Sequence, residues 1–278
     1  MHSWSLVCFT LSTQSAIGLI WVSVMGRWFG GEPQTDFSIW AMSIALTLTG
    51  LGLYAALAHL ARPRLAPHAL RNLPASWLSR EILSMQAFAG AVFLSILSLL
   101  LDGWSVLIIL ETAACLLGGA AIFVMTRVYL LKTVPLWNSP ATFLEFAGSA
   151  MLLGGALGGV LTSLGVMVQP GRSAALIAAV IGILLGLILK LTAISPALTA
   201  EQAARDQIWY EPAGMLLSAG RALTIRIGLN LTGLVLILTA MVGYGPTWLW
   251  SCLSLTCLGS GEVVGRLRFY KAYRRLGL

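Results

Sequence analysis

Eight long apolar stretches dominate this sequence and restrict what it can fold into. A helix that crosses the roughly 30 Å hydrocarbon core of a bilayer needs about 20 apolar residues, and eight windows reach or approach that length. Their predicted bounds are Leu6–Met25, Phe37–Leu60, Ile82–Leu101, Trp104–Val128, Thr142–Val168, Ala174–Ile194, Ala222–Val242 and Thr247–Phe269. The sequence therefore predicts an all-α integral membrane protein, a bundle of eight transmembrane helices that forms a single domain over residues 1–278.

The charged residues indicate how this bundle is oriented. Only 10% of the residues are charged, compared with roughly 25% in soluble domains. The net charge of +7 comes from basic residues in short loops, a pattern that indicates membrane orientation rather than nucleic-acid binding. Assigning each Lys and Arg to its nearest loop puts 15 on the side that holds both termini and two, Arg27 and Arg172, on the other. We predict that both termini lie in the cytoplasm.

Metal and haem binding within this chain are disfavoured. The four cysteines lie in apolar segments and form no C-x-x-C pair, so no iron–sulfur or zinc pattern is present. A haem held by two histidines needs them on facing helices, but His2 is terminal and His68 lies in a loop. Only His59 lies near a helix, which leaves no histidine pair. We expect neither haem nor metal here.

The segment from His59 to Glu81 is the most polar part of the chain. Its 23 residues include four arginines, two of the three histidines and three prolines. His59 ends the second predicted helix and Glu81 precedes the third, so both lie at the same side of the membrane. A quinone headgroup needs a donor to a carbonyl oxygen and a group that takes protons when quinol is oxidised, and a histidine, with an ordinary pKa of about 6.5, can do both. A charged connecting loop remains the alternative interpretation.

Further ionisable residues fall at the same predicted depth. They are Arg127 and Tyr129 at the end of helix 4, Glu145 at the start of helix 5, Arg226 at the start of helix 7, and Glu262 and Arg266 in helix 8. The i, i+4 spacing of Glu262 and Arg266 predicts an ion pair. Glu111 lies toward the opposite face. Snorkelling explains lone arginines but not a group of carboxylates at one level.

Two other features concern packing and partners. Helix 5 carries Gly154, Gly155, Gly158 and Gly159, a spacing that lets helix backbones approach closely in lipid. The longest connection, about Ser195–Arg221, is polar. It is predicted to be either an interfacial helix or a docking surface for a soluble partner.

Five short motifs, in order along the whole chain, resemble those of the DmsC family, the membrane-anchor subunit of dimethyl sulfoxide reductase. They are W-x-L-x-x-F-T with Q-x-x-x-G (Trp4, Leu6, Phe9, Thr10, Gln14, Gly18), HLARP (His59–Pro63), SWLSREI (Ser76–Ile82), RVYLLKTVPLW (Arg127–Trp137) and GEVVGRLRFY (Gly261–Tyr270). One departure is Ala61, where the family often has glycine.

This resemblance implies a multi-pass anchor in the bacterial inner membrane. It implies a ferredoxin-like iron–sulfur subunit and a molybdopterin catalytic subunit as partners, and electron exchange with menaquinone or ubiquinone in this chain. The quinol-site histidine and glutamate of the family fall on His59 and Glu81. We expect Gln14, Arg127, Tyr129, Glu262 and Arg266 to contribute to quinone binding.

Both directions of electron flow stay open from the sequence. Related anchors serve quinol-oxidising reductases of anaerobic respiration and membrane-bound sulfite dehydrogenases that reduce quinone. The predicted cytoplasmic position of His59 modestly favours the second type. A redox-inert tether or, less favoured, a secondary transporter is the alternative function; a transporter would show charges near the bilayer midplane and repeated broken helices, which this sequence lacks.

Overall fold

Eight α-helices make up the computed structural model of this chain, which describes residues 3–30, 35–58, 70–101, 104–134, 136–165, 171–207 and 214–271. The helices are α1 (Ser3–Gly30), α2 (Thr35–Ala58), α3 (Trp77–Leu100), α4 (Trp104–Tyr129), α5 (Pro140–Ser163), α6 (Gly171–Gln207), α7 (Gly214–Val242) and α8 (Thr247–Lys271). Each odd-numbered helix packs closely on the next. The predicted all-helical architecture is confirmed.

Seven of these helices, α1 to α7, are long and apolar enough to cross a membrane. Within the described residues α8 is not among them, because polar side chains interrupt its apolar sequence. The buried ones are Ser251, Ser254, Glu262 and Arg266. The membrane character of the chain is thus supported, while an eighth crossing and the cytoplasmic position of the termini stay predictions.

Helices α1 and α5 form the centre of the bundle. About three quarters of the spanning part of each is buried, 78% for α1 and 72% for α5, against 22% for α7. Helix α1 contacts α2, α4, α5, α6 and α8, and its residues Ala16 to Ile20 are buried. The remaining helices surround this pair and expose apolar side chains outward, as lipid-facing surfaces do.

Glycines allow the two central helices to cross with their backbones in contact. A Cβ atom on Gly18 would overlap the carbonyl oxygen of Ala150, and one on Gly154 would overlap the backbone of Gly18. On the other face of α5, a Cβ on Gly155 would lie 2.5 Å from the Ala179 carbonyl oxygen of α6. The close approach predicted for the glycines of helix 5 is confirmed.

Several predicted boundaries were wrong. Helix α3 starts five residues earlier than expected because Ser76 caps it: the Ser76 hydroxyl accepts a hydrogen bond from the Ser79 amide. Glu81 therefore lies in the second turn of α3 rather than before it. Helix α5 ends at Ser163 instead of Val168. Two residues after this end, Gly165 has a φ of +79°, which is not helical.

The predicted loop between helices 6 and 7 is mostly helical. Helix α6 continues through Pro196 to Gln207, and α7 begins at Gly214. The extension is held by the Ser139 hydroxyl, which donates to the Pro196 carbonyl, and by an ion pair between Glu201 and Arg268 of α8. Trp209 and Tyr210 lie outside the described residues.

We expect Gly18→Ala to destabilise the protein by about 1–3 kcal/mol or more, since the added methyl group must push α1 and α5 apart. Gly90→Ala is the matched control. Gly90 lies within α3 with no atom within 4 Å of a Cβ, so this change should be neutral or stabilise by up to about 1 kcal/mol through helix propensity. Unfolding of the purified variants in detergent measures both. Equal stabilities would contradict the close crossing of α1 and α5.

Candidate functional site

The first group of the candidate site is the carboxyl group of Glu81, which is buried. Its side chain is held on the inner face of α3, with 4% of the residue exposed. The neighbouring Ser84 hydroxyl donates to the Glu81 backbone oxygen rather than to the carboxylate. The Oε1 atom has no hydrogen-bond partner among the described residues. A buried acceptor without a hydrogen-bond partner costs about 1–3 kcal/mol of stability. The Glu81 carboxyl is therefore suited to bind a hydrogen-bond donor. His59 lies outside the described residues.

A pair of tyrosine hydroxyls lies within electrostatic range of Glu81. Tyr129 ends α4, and its hydroxyl lies 3.0 Å from that of Tyr270 on α8. The Tyr270 hydroxyl also lies 3.3 Å from Thr10 Oγ1 of α1. Both tyrosines interact electrostatically with Glu81, and both are buried. Hydroxyl groups from three helices therefore converge on the side of the bundle where Glu81 lies.

Aromatic rings surround the tyrosine pair. The aromatic cluster consists of Tyr129, Trp137, Phe146, Phe269 and Tyr270, with contacting ring centroids 5.3–6.4 Å apart. The Trp137 indole N–H donates to the Phe269 carbonyl at 2.8 Å. This bond fixes the α4–α5 connection against α8. The rings exclude water from the hydroxyl pair and offer flat apolar faces.

A second polar group, the ion network, lies inside the bundle. It comprises Glu145 and Ser149 on α5, Lys190 on α6, Arg226 on α7, and Glu262 and Arg266 on α8. The Lys190 ammonium lies 2.9 Å from Glu145 Oε2 and 2.6 Å from Glu262 Oε2. Arg226 binds Glu145 through two nitrogens, at 3.0 and 2.5 Å, and reaches Glu262 Oε1 at 3.2 Å. These contacts join four helices at one level.

Arg266 connects the ion network with α1 and with the aromatic cluster. Its Nη2 donates to Gln14 Oε1 at 2.6 Å and to Ser149 Oγ at 3.0 Å. Its guanidinium carbon lies 4.1 Å from the centre of the Phe146 ring, a cation–π contact. Gln14 in turn donates to the Met125 sulfur of α4. The three cations and two carboxylates of the network leave one surplus positive charge, which Arg266 carries beside the aromatic cluster.

The structure changes the interpretation of several charged residues. The predicted Glu262–Arg266 ion pair is wrong: both residues are described, and Glu262 pairs with Lys190 and Arg226 instead. Lys190 and Arg226, which we counted as loop charges, are inside helices and largely buried. Glu111 forms an ion pair with Arg27 of α1. The Lys and Arg residues that remain at helix ends and in loops still favour the same side.

Arg127 is separate from both polar groups. It is exposed at the end of α4, with its guanidinium 4.8 Å from the centre of the Trp77 ring, while Arg80 lies 4.3 Å from the same centre. Arg80 also donates to the carbonyls of Leu73 and Pro74. These contacts fix the start of α3 against the segment that precedes it. Arg127 thus lies at the surface near the base of the helix that carries Glu81.

Sequence reasoning missed Lys190, Ser149 and Tyr270. A lysine within the apolar run LGLILKLTAI was itself a signal, since ionisable residues inside membrane helices normally have partners. Ser149 follows Glu145 by four residues and so shares its helix face. Tyr270 had no such signal, because its role depends on how α8 meets α4.

The described residues offer quinone a carboxyl group, two phenol hydroxyls and aromatic faces, the kinds of group that bind its carbonyl oxygens and its ring. Within those same residues, no group of three or more His, Cys, Asp or Glu side chains lies close enough together to hold a metal ion.

Comparison with known proteins identifies the family. The sequence model of the DMSO reductase anchor subunit (DmsC) family matches residues 1–271. The chain belongs to this family. The C subunit of anaerobic dimethyl sulfoxide reductase from Escherichia coli (strain K12) is 28% identical over 100% of this chain and 97% of its own length. The YnfH subunit of an anaerobic dimethyl sulfoxide reductase from the same organism is 32% identical over 55% of each protein.

A third relative of this anchor family, the C subunit of anaerobic dimethyl sulfoxide reductase from Haemophilus influenzae, is 27% identical over 55% of this chain and 56% of its own length. Two of the three alignments thus span about half of the relative, and one spans nearly all of it. No solved structure matches the chain significantly.

We expect Lys190→Met to destabilise the protein by about 3–5 kcal/mol, because it leaves the buried Glu262 and the partly buried Glu145 with a single common cation, Arg226. The double variant Lys190→Met/Glu262→Gln should lose less, since it removes one of those carboxylates. Unfolding in detergent measures both. Arg268→Gln is the control: it breaks the partly exposed pair with Glu201, which is worth about 0–1 kcal/mol. A loss no larger for Lys190→Met than for Arg268→Gln would contradict the network.

Proposed function

We propose that this chain is the membrane anchor subunit of a molybdopterin/iron–sulfur oxidoreductase in the bacterial inner membrane. Family membership across residues 1–271 and the full-length similarity to the C subunit of a dimethyl sulfoxide reductase support this proposal. The partners are a ferredoxin-like iron–sulfur subunit and a molybdopterin catalytic subunit. The apolar helices α1 to α7 hold the assembly in the bilayer.

We also propose that the chain binds quinone or quinol beside Glu81 and His59. The observation that carries this proposal is the buried Glu81 carboxyl, whose Oε1 has no hydrogen-bond partner among the described residues. An ionisable group at that depth needs either a structural partner or a functional one. Glu145 and Glu262 have structural partners of both kinds, a lysine and an arginine. Glu81 has neither within the described part of the chain, which favours a role in binding and proton exchange.

Quinone supplies the redox chemistry: oxidation of its quinol form releases two electrons and two protons. In that direction the Glu81 carboxylate would accept one of the two protons, acting as a general base, and we assign the other proton to the His59 imidazole. In the reverse direction the same carboxyl returns a proton. The Tyr129 and Tyr270 hydroxyls belong to a chain of hydrogen bonds that continues to Thr10 Oγ1, so a quinone oxygen that binds one of them replaces a bond of that chain. The electrons leave toward, or arrive from, the iron–sulfur subunit, so we place its docking surface at the same end of the bundle.

The other residues predicted to bind quinone fall into two groups, according to whether they already have hydrogen-bond partners inside the bundle. Gln14, Glu262 and Arg266 are buried and each binds a described partner in the ion network or beside it. That arrangement favours holding α8 and the aromatic cluster in position behind the headgroup. Tyr129 is buried in the aromatic cluster. Arg127 is exposed at the end of α4 and contacts Trp77 at the start of α3, where it suits contact with a partner or a headgroup at the membrane surface.

We expect Glu81→Gln to abolish quinone-linked turnover of the assembled complex, since the amide keeps the shape of the carboxyl but cannot accept the proton. Binding of the iron–sulfur and catalytic subunits should persist, because Glu81 forms no ion pair within the described part of the chain. Copurification and turnover with a soluble quinol measure the two properties. Artificial electron donors that reach the catalytic subunit directly should still support activity.

Glu201→Gln is the matched control for this test. Glu201 lies on the extension of α6 and its carboxylate pairs with Arg268, so quinone-linked turnover should match wild type. Undiminished turnover in Glu81→Gln would remove the proposed site. If, in addition, a quinone-analogue inhibitor failed to bind the purified anchor, the chain would be a redox-inert tether.

A further inference from the structure

A polar cavity of about 280 Å³ lies at the opposite end of the bundle from the ion network. Helices α5 and α7 end beside it, and α6 and α8 begin there. Six of its lining residues are polar: Thr162, Ser163, Arg172, Ser173, Thr247 and Ser251. Among the described residues, no carboxylate lines it, and the one charged side chain in its lining is the cation Arg172.

Arg172 is held at the cavity by a hydrogen bond that leaves its positive charge unneutralised. Its Nη2 donates to Thr247 Oγ1 at 3.2 Å, which ties the start of α6 to the start of α8. Within the described part of the chain it forms no ion pair, whereas Arg27, the other basic residue predicted on this side, pairs with Glu111. Because the Thr247 hydroxyl accepts that bond, its own proton is free to be donated.

A second donor belongs to a residue that lines the cavity. Ser251, one turn into α8, is 0% exposed, and its hydroxyl has no hydrogen-bond partner among the described residues. The hydroxyls of Thr162 and Ser163 are different, because they already donate to the carbonyls of Gly158 and Val160. A buried hydroxyl with an unused proton at the wall of a cavity needs an acceptor.

The backbone adds to this donor set. Helices α6 and α8 both begin at the cavity, and the first N–H groups of a helix have no partner within the helix and carry its partial positive charge. A helix start beside a guanidinium and free hydroxyls is suited to phosphate. One wall, formed by α6 and α7, is apolar and includes Leu176 and Met241, which suits the glycerol and first acyl carbons of a lipid.

We propose that this cavity binds a phosphate group, held by Arg172, Thr247 and Ser251. Two sources share that chemistry: the phosphodiester of a phospholipid headgroup, which lies at the depth of helix ends in a bilayer, and free inorganic phosphate. The site is independent of the quinone proposal, since it lies at the opposite end of the bundle from the ion network and shares no residue with that network, with the aromatic cluster or with Glu81.

The test uses the full-length chain, delipidated in detergent, and measures thermal unfolding while three additives are titrated. The first is phosphatidylglycerol, the second diacylglycerol with the same acyl chains but no phosphate, and the third inorganic phosphate against chloride at equal ionic strength. Arg172→Gln and Ser251→Ala are the variants. Arg268→Gln, a cation removed at the other end of α8, is the control.

We expect phosphatidylglycerol, and not diacylglycerol, to raise the melting temperature of wild type and of Arg268→Gln. Arg172→Gln should need about tenfold more lipid for the same shift, the loss of one charge-assisted hydrogen bond. Ser251→Ala, which keeps the Arg172–Thr247 bond, should need several times more. A matching shift with inorganic phosphate alone would identify the free ion as the ligand.

Two results would overturn the phosphate site. One is a wild-type melting temperature that responds equally to diacylglycerol and phosphatidylglycerol and not at all to phosphate. The other is an unchanged response in both variants. If Arg172→Gln fails to fold, Ser251→Ala and native mass spectrometry of phospholipid retained by wild type decide the question.

Discussion

The pairing of buried charges in the ion network is the constraint on which the second half of the bundle depends. Each of these ions would cost several kcal/mol if left alone in apolar surroundings, so α5, α6, α7 and α8 must bring their partners to one point. Small residues make this possible: a Cβ on Gly265 would lie 2.7 Å from the Arg226 guanidinium, and one on Gly148 3.1 Å from Lys190 Cε. The register of these helices is therefore set by charge as much as by apolar packing.

The close crossing of α1 and α5 carries that register to the first half of the bundle. Gly18 and Gly154 bring the two backbones together, and one turn away Gln14 meets Arg266. On the same faces, Thr10 meets Tyr270, so α1 and α8 share two polar contacts a helical turn apart. Tyr270 then positions Tyr129 of α4, and both lie near Glu81 of α3. Displacing α1 would thus disturb the surroundings of Glu81 indirectly, through α8 and α4.

The sequence predicted the eight helices because apolar length is a local signal. It predicted the small-residue packing of α5 for the same reason. It failed where tertiary geometry decides: Glu262 and Arg266 are four residues apart, yet Glu262 pairs with the cations Lys190 and Arg226 of other helices. Arg266 instead binds the neutral side chains of Gln14 and Ser149. Lys190 was assigned to a loop because the predicted helix ended shortly before Pro196, and proline normally ends a helix. In the structure α6 continues past Pro196 to Gln207, so Lys190 lies well inside it. His59 lies outside the described residues.

The contrast among the buried glutamates separates a structural role from a chemical one. Glu262 is held by a lysine, an arginine and a serine, so its charge is fixed, and moving a proton onto it would leave a cation unpaired. Glu81 is equally buried, but within the described part of the chain no cation pairs with it and its Oε1 has no hydrogen-bond partner. Gaining or losing a proton there disturbs no ion pair within the described part of the chain. A group that must exchange protons with a quinol during each turnover has to be of this second kind. Arg266, which carries the surplus charge of the ion network and contacts the Phe146 ring, can hold the aromatic cluster in place without forming an ion pair with Glu81.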